Sequence, residues 1–203
     1  MACIFCNLKK EDGILYETDN FYIKVGIGIV TAGHVMLIPK KHIKAMGELD
    51  DSLVEEYIRL KNVLVEKIYK IFADPFLIEY GNQGQSVEHA HLHFIPTSGN
   101  GYKNINFYNH IEEFAKDTGV KIFKINKFSQ LQDYLKENSK YIYYEDADGR
   151  YIIQADDKYI PDYRNFFTKL GVKGCENWKE MTEKDKELDK IKIDETKNKL
   201  NFG

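Results

Sequence analysis

Residues 89–95 read His-Ala-His-Leu-His-Phe-Ile, and no other segment restricts the fold of this chain so tightly. Side chains alternate faces along a β-strand. On that geometry His89, His91 and His93 share one face, with Cα atoms roughly 7 Å apart from one histidine to the next. Ala90, Leu92 and Phe94 turn the other way, into a core. Residues 87–96 are therefore expected to form a strand that stops at Pro96. The loop before it, Gly81-Asn82-Gln83-Gly84-Gln85-Ser86, has glycines that let backbone N–H groups approach an anion, together with amide and hydroxyl donors. Alone, such a loop is usually just a turn. Joined to three in-face histidines, it reads as a phosphate cradle beside nucleophiles.

The pattern around this segment predicts an α+β chain. Residues 14–39 are rich in β-branched and aromatic residues, and His34–Pro39 reads as a short buried strand. A long helix should follow, capped by Asp51 or Ser52, with Leu53, Tyr57, Leu60, Leu64, Ile68 and Ile71 at helical spacing, ending before Asp74-Pro75. A strand is expected at 76–80 and a short helix at 107–118. From about residue 121 the character changes. Residues 140–154 read as a hairpin around Asp146-Ala147-Asp148-Gly149, and Pro161–Gly171 as a short helix. The tail from Thr182 reads as a charged helix with Leu188 and Ile191 as a thin apolar stripe. The expected organisation is a first domain over 1–120 and an extension over 121–203.

The run GQSVEHAHLHFIP resembles the signature of the histidine-triad (HIT) superfamily of nucleotide hydrolases and transferases, and GHVMLIPKKH (33–42) resembles the strand and turn upstream of it. The likeness covers roughly residues 1–110. It implies an antiparallel sheet with a long helix on one face, followed here by a small α+β extension. It also implies that His91 is the nucleophile and that His93 contacts the phosphate. Ser86 and Gln85 match positions that bind the phosphate or leaving group, with Gly84 and Asn82 on the same phosphate-side loop. A neutral imidazole is a good nucleophile near pH 7, and a carbonyl on its other nitrogen can fix the tautomer. The implied reaction breaks a phosphoanhydride, phosphoramidate or similar bond through a nucleotidyl-histidine, with no catalytic metal. The implied partner is a small nucleotide or related phosphate ester, and the family likeness suggests a homodimer. Relatives that bind nucleosides commonly hold the ribose with an acidic residue where this chain has Gly26.

Cys3-Ile4-Phe5-Cys6 has zinc-knuckle spacing. It resembles the zinc-binding subset of the same family, which implies His42 and His89 as the remaining ligands of a structural zinc. Cys175 has no nearby partner in sequence and is expected in the core. His34 reads as a turn or packing histidine and His110 as a helix-surface residue. The segments YIYYEDADGRYII and IPDYRNFF and the region of Trp178 resemble an extension found in one branch of the family. There Arg164 could pair with a substrate phosphate, although a surface or salt-bridged arginine is the alternative. Tyr141, Tyr143, Tyr144 and Tyr151 could stack on a base or build a small core.

Net charge is -3 with basic residues scattered along the chain, so duplex nucleic acid and an anionic membrane are not expected partners. No stretch approaches a membrane span, the N-terminus does not read as a secretory signal, and three cysteines do not make a disulfide framework. A cytoplasmic setting is expected. Two rival readings are a phosphate-binding regulatory protein with little turnover and a zinc-dependent interaction protein.

Overall fold

Eight strands, among the described residues, form one antiparallel sheet in the order β1-β2-β3-β5-β4-β7-β8-β6. The strands are β1 (Ile14–Glu17), β2 (Phe21–Val25), β3 (Val35–Pro39), β4 (Pro75–Gly81), β5 (Leu92–Pro96), β6 (Ile122–Ile125), β7 (Tyr141–Asp146) and β8 (Gly149–Gln154). Five helices accompany them: α1 (Asp51–Ile71), α2 (Phe107–Thr118), α3 (Phe128–Asn138), α4 (Tyr163–Lys169) and α5 (Glu183–Lys199). The computed structural model describes residues 3–99, 101–156, 160–173 and 178–202. Cys175 lies outside them. No helix of the described residues is long and apolar enough to cross a membrane.

Helix α1 forms because Tyr57, Leu60, Leu64 and Ile68 recur on one stripe, which buries against Phe21, Ile23, Leu37, Leu92 and Phe94 on one sheet face. Its N-cap is Asp50 rather than Asp51 or Ser52, and the Asp50 carboxylate accepts from Lys41 instead of capping a helix N–H. The opposite face carries a second core around Phe76, Ile78, Ile95 and Tyr144, which α2 and α4 cover with Phe107, Ile111 and Phe167.

The extension continues the sheet. Strand β7 pairs antiparallel with β4, with Ile78 opposite Tyr144 and Tyr80 opposite Ile142. The hairpin tyrosines are core residues: Tyr141, Tyr143, Tyr144 and Tyr151 are all buried. Helix α5 departs from expectation. Its buried residues are Asp189, Lys192 and Thr196, whereas Ile191 is 62% exposed. This face docks by hydrogen bonds onto the β2–β3 loop. Asp189 accepts from the N–H groups of Gly28 and Ile29, each at 2.8 Å, Lys192 donates to Ile29 O, and Thr196 Oγ1 accepts from Gly33 N–H at 2.9 Å. Gly33 has φ +88°, and a Cβ there would come within 2.7 Å of the Phe72 ring, so the turn requires glycine.

The histidine segment also differs from a continuous strand. Regular pairing begins only at Leu92. His89 N–H bonds back to Val87 O at 2.8 Å and Ala90 N–H bonds to Ile43 O at 2.7 Å, so residues 87–90 form a tight hook rather than a ladder. Ala90, Leu92 and Phe94 do enter the α1-side core.

Candidate active site

The hook sends the three histidines to different tasks. His91 and His93 pack edge to face with ring centroids 4.9 Å apart, and both line a pocket of about 810 Å³, a size suited to a small organic ligand. His89 is fully buried and turns instead toward Cys3 and Cys6. Phe5 stands between the two groups, edge-on to His89 at 5.9 Å and to His91 at 5.4 Å.

The hydrogen bonds fix the tautomers of His34, His91 and His93. A backbone carbonyl only accepts, so the 2.6 Å contact of His91 Nδ1 with His89 O puts the proton on Nδ1. The Nε2 lone pair of His91 is thereby left for a reacting partner. His34 Nδ1 accepts from Val30 N–H at 3.1 Å, so its proton sits on Nε2 and is donated to His93 Nδ1 at 3.0 Å. His93 must then carry its own proton on Nε2, as a donor. Burial pushes His91 down to about 4 and holds His34 and His93 well below the usual imidazole range. All three rings are neutral near pH 7. His34, expected to be a packing residue, thus orients the third triad histidine. The only sequence signal was its place at the mouth of β3, just after Gly33.

The loop residues separate into two groups. Gly84, Gln85 and Ser86 line the pocket with His91 and His93. Gly84 has φ +61°, and a Cβ would meet Ile160 at 2.5 Å, so glycine lets this loop pass under the extension. Gln85 Nε2 donates to Lys44 O at 2.8 Å. Asn82 faces elsewhere: its amide donates to Ser139 O at 3.0 Å, and it does not line the pocket.

The extension completes the wall. Tyr80 on β4 donates to Pro161 O at 3.0 Å and accepts from Tyr163 N–H at 3.2 Å. This docks α4 so that the Tyr163 ring lies 5.2 Å from His93 and 5.8 Å from His34. Arg164 lines the pocket and donates to Gly28 O. Lys24 on β2 is a pocket residue that neither periodicity nor motif had singled out. Its one signal is a cation inside the apolar run Phe21–Val25. At Gly26, the space where a side chain would begin is bordered by Met36 Cε at 3.2 Å and Ile29 Cγ2 at 3.5 Å. His110 is half-buried on α2 against Phe107 and Phe166.

A second cluster lies beside the pocket. One donor atom each from Cys3, Cys6, His42 and His89 fall within 4.8 Å of one another. Cys3 Sγ is 3.3 Å from His89 Nδ1, and Cys6 Sγ is 3.2 Å from His42 Nδ1. His89 Nε2 donates to Pro39 O at 2.7 Å, which leaves the Nδ1 lone pair facing the sulfurs. Two thiols and two imidazoles with a backbone carbonyl fixing one ring fit a tetrahedral divalent metal.

Similarity to known proteins points to one family. The family model for the HIT domain matches residues 7–100. "Protein hit" of Bacillus subtilis is 36% identical over 110 residues, which cover 49% of this chain and 73% of that protein. An adenosine 5′-monophosphoramidase of Schizosaccharomyces pombe is 32% identical over 109 residues, covering 50% of this chain and 79% of the enzyme. Among solved structures, a zinc-bound histidine triad family protein from Mycobacterium smegmatis is 28% identical with a TM-score of 0.40, covering 47% of this chain and 74% of that one. Relatives of this chain thus include a named nucleotide hydrolase. With the family-model match over residues 7–100 and 36% identity to a relative matched over 73% of its length, the chain belongs to the histidine-triad (HIT) family.

Proposed function

We propose that the protein is a nucleotide hydrolase or nucleotidyltransferase in which His91 attacks a phosphorus atom. The observation that carries this reading is the 2.6 Å contact of His91 Nδ1 with the His89 carbonyl, because it leaves a neutral Nε2 as the only lone pair on the ring. Attack forms an Nε2–P bond and breaks the bond from phosphorus to the leaving group. Water then attacks the nucleotidyl-histidine and frees His91, whereas phosphate or another acceptor completes transfer. His93 Nε2–H donates to a phosphoryl oxygen, and the backbone of Gly84-Gln85 with the Ser86 hydroxyl holds the phosphate or the leaving group. Arg164 adds positive charge at the pocket wall.

Zinc is the metal that best suits the Cys3, Cys6, His42 and His89 donor set. Bound there, it would act structurally, tying the N-terminal segment to the hook and holding the His89 carbonyl where His91 needs it. The chemistry at phosphorus rests on the histidines.

The test is a panel of adenylyl and guanylyl phosphoanhydrides and phosphoramidates, with products identified by mass spectrometry. At least one should be cleaved at phosphorus, and His91→Ala should lower its turnover by at least about a thousandfold while leaving the melting temperature close to wild type. A variant that cleaves the same substrate at a comparable rate would remove His91 from the reaction.

A further inference from the structure

Lys24 is the least expected residue of the pocket. It sits in the middle of β2, where Phe21, Ile23 and Val25 feed the α1-side core. Its own side chain is on the other face, and the residue is only 5% exposed. Among the described residues, its ammonium makes one hydrogen bond, to the carbonyl of its neighbour Val25 at 2.8 Å, and no ion pair. It also lies 5.9 Å from the centroid of the Phe5 ring, the ring that packs against His91. Burial lowers its pKa to about 8, against the opposing pull of Asp12. An ammonium withdrawn from water with one neutral acceptor is costly.

The sheet register gives this cation a direction. Lys24 stands opposite Met36, and Met36 stands opposite His93. Directly opposed residues share a face, so Lys24 and His93 belong to one row, about 10 Å apart across two strand spacings. Lys24, His91 and His93 line the same pocket, with Arg164 also on its wall.

We propose that Lys24 is a specificity residue that binds a second phosphate group of the ligand, beyond the phosphorus presented to His91. This rests on reading the pocket as a phosphoryl-transfer site and adds that the preferred ligands carry two phosphates rather than one. An ammonium held in a low-dielectric wall discriminates strongly for an anion that replaces its lost water.

The experiment measures binding of inorganic phosphate and inorganic pyrophosphate by calorimetry to the full chain, as wild type, Lys24→Met, Lys24→Gln and His91→Ala. Wild type and His91→Ala should bind pyrophosphate about tenfold to a hundredfold more tightly than phosphate. Both Lys24 variants should lose that preference while melting at or above the wild-type temperature, since a buried charge has been removed. A preference absent from wild type, or unchanged in the Lys24 variants, overturns the proposal. So does a lower melting temperature for both variants, which would make the lysine structural. Binding needs no turnover, so this assay can fail while His91→Ala still abolishes cleavage, and the reverse.

Discussion

His34 touches no phosphate in the proposed reaction, yet it decides which nitrogen of His93 bears the proton. Its Nε2–H meets His93 Nδ1 at 3.0 Å, and Val30 N–H locks its own tautomer. His34→Ala should leave His93 free to take either tautomer. The expected result is a loss in kcat of about tenfold to a hundredfold, the worth of a hydrogen bond to a developing charge, with KM changed much less. Steady-state kinetics on whichever substrate the panel identifies would check this. Equal loss in kcat and rise in KM would point to a collapsed pocket instead. Residues of this kind escape sequence reading because their partners are remote: His34 and His93 are 59 positions apart and meet only when β3 pairs with β5. The histidine run itself was legible, because period-2 alternation with an apolar back face has few other meanings.

At the scale of elements, the sequence announced what apolar periodicity could carry. Helix α1, strands β3, β4, β7 and β8, and the turn between β7 and β8 follow from it. It did not announce α3, whose Leu131 and Leu135 are dispersed among polar residues. It misdirected the reading of α5, because that helix buries Asp189, Lys192 and Thr196 against loop backbone while an isoleucine faces solvent. It also smoothed over the hook at 87–90, which depends on a hydrogen bond from Ala90 to Ile43 in another part of the chain. That hook is the element the metal cluster would hold. Protein purified without added metal should contain about one equivalent of zinc, read by plasma emission spectroscopy. Cys3→Ser with Cys6→Ser should lose the metal and lower the melting temperature, since metal binding contributes folding free energy. Metal-free wild type with a melting temperature unaffected by the double substitution would defeat the zinc assignment.

Over the whole molecule, one sheet carries both the histidine strands and the extension, so the extension walls the pocket as part of the same fold. Its stability should report the buried neutral groups. His34, His91 and His93 have folded pKa values below the unfolded value near 6.5, with His91 at about 4. Their contribution is fully present above pH 6.5 and is lost as pH falls, because the unfolded chain binds protons that the native rings refuse. Glu79 has the opposite sign. Burial outweighs its hydrogen bonds from Met46 N–H and Tyr141 and raises it to about 8. Its contribution is present below about pH 4.5 and fades as pH rises through 8. Three histidines outweigh one carboxyl on the acid side, so thermal stability should peak near pH 6.5. His91→Ala should flatten the acid slope by about 1.4 kcal/mol per pH unit between pH 6.5 and 4, and Glu79→Gln should remove the alkaline decline. Denaturant titrations across pH 4.5–8.5 would show whether either slope is missing.

In the proposed reaction His91 Nε2 becomes bonded to phosphorus. The most direct measurement is to quench the protein with alkali during turnover of the best panel substrate and map the adduct by tandem mass spectrometry. A nucleotidyl mass is expected on the peptide containing residues 89–95, assigned to His91 and absent from His91→Ala. Sustained turnover with the adduct on His93 or on another residue would contradict it.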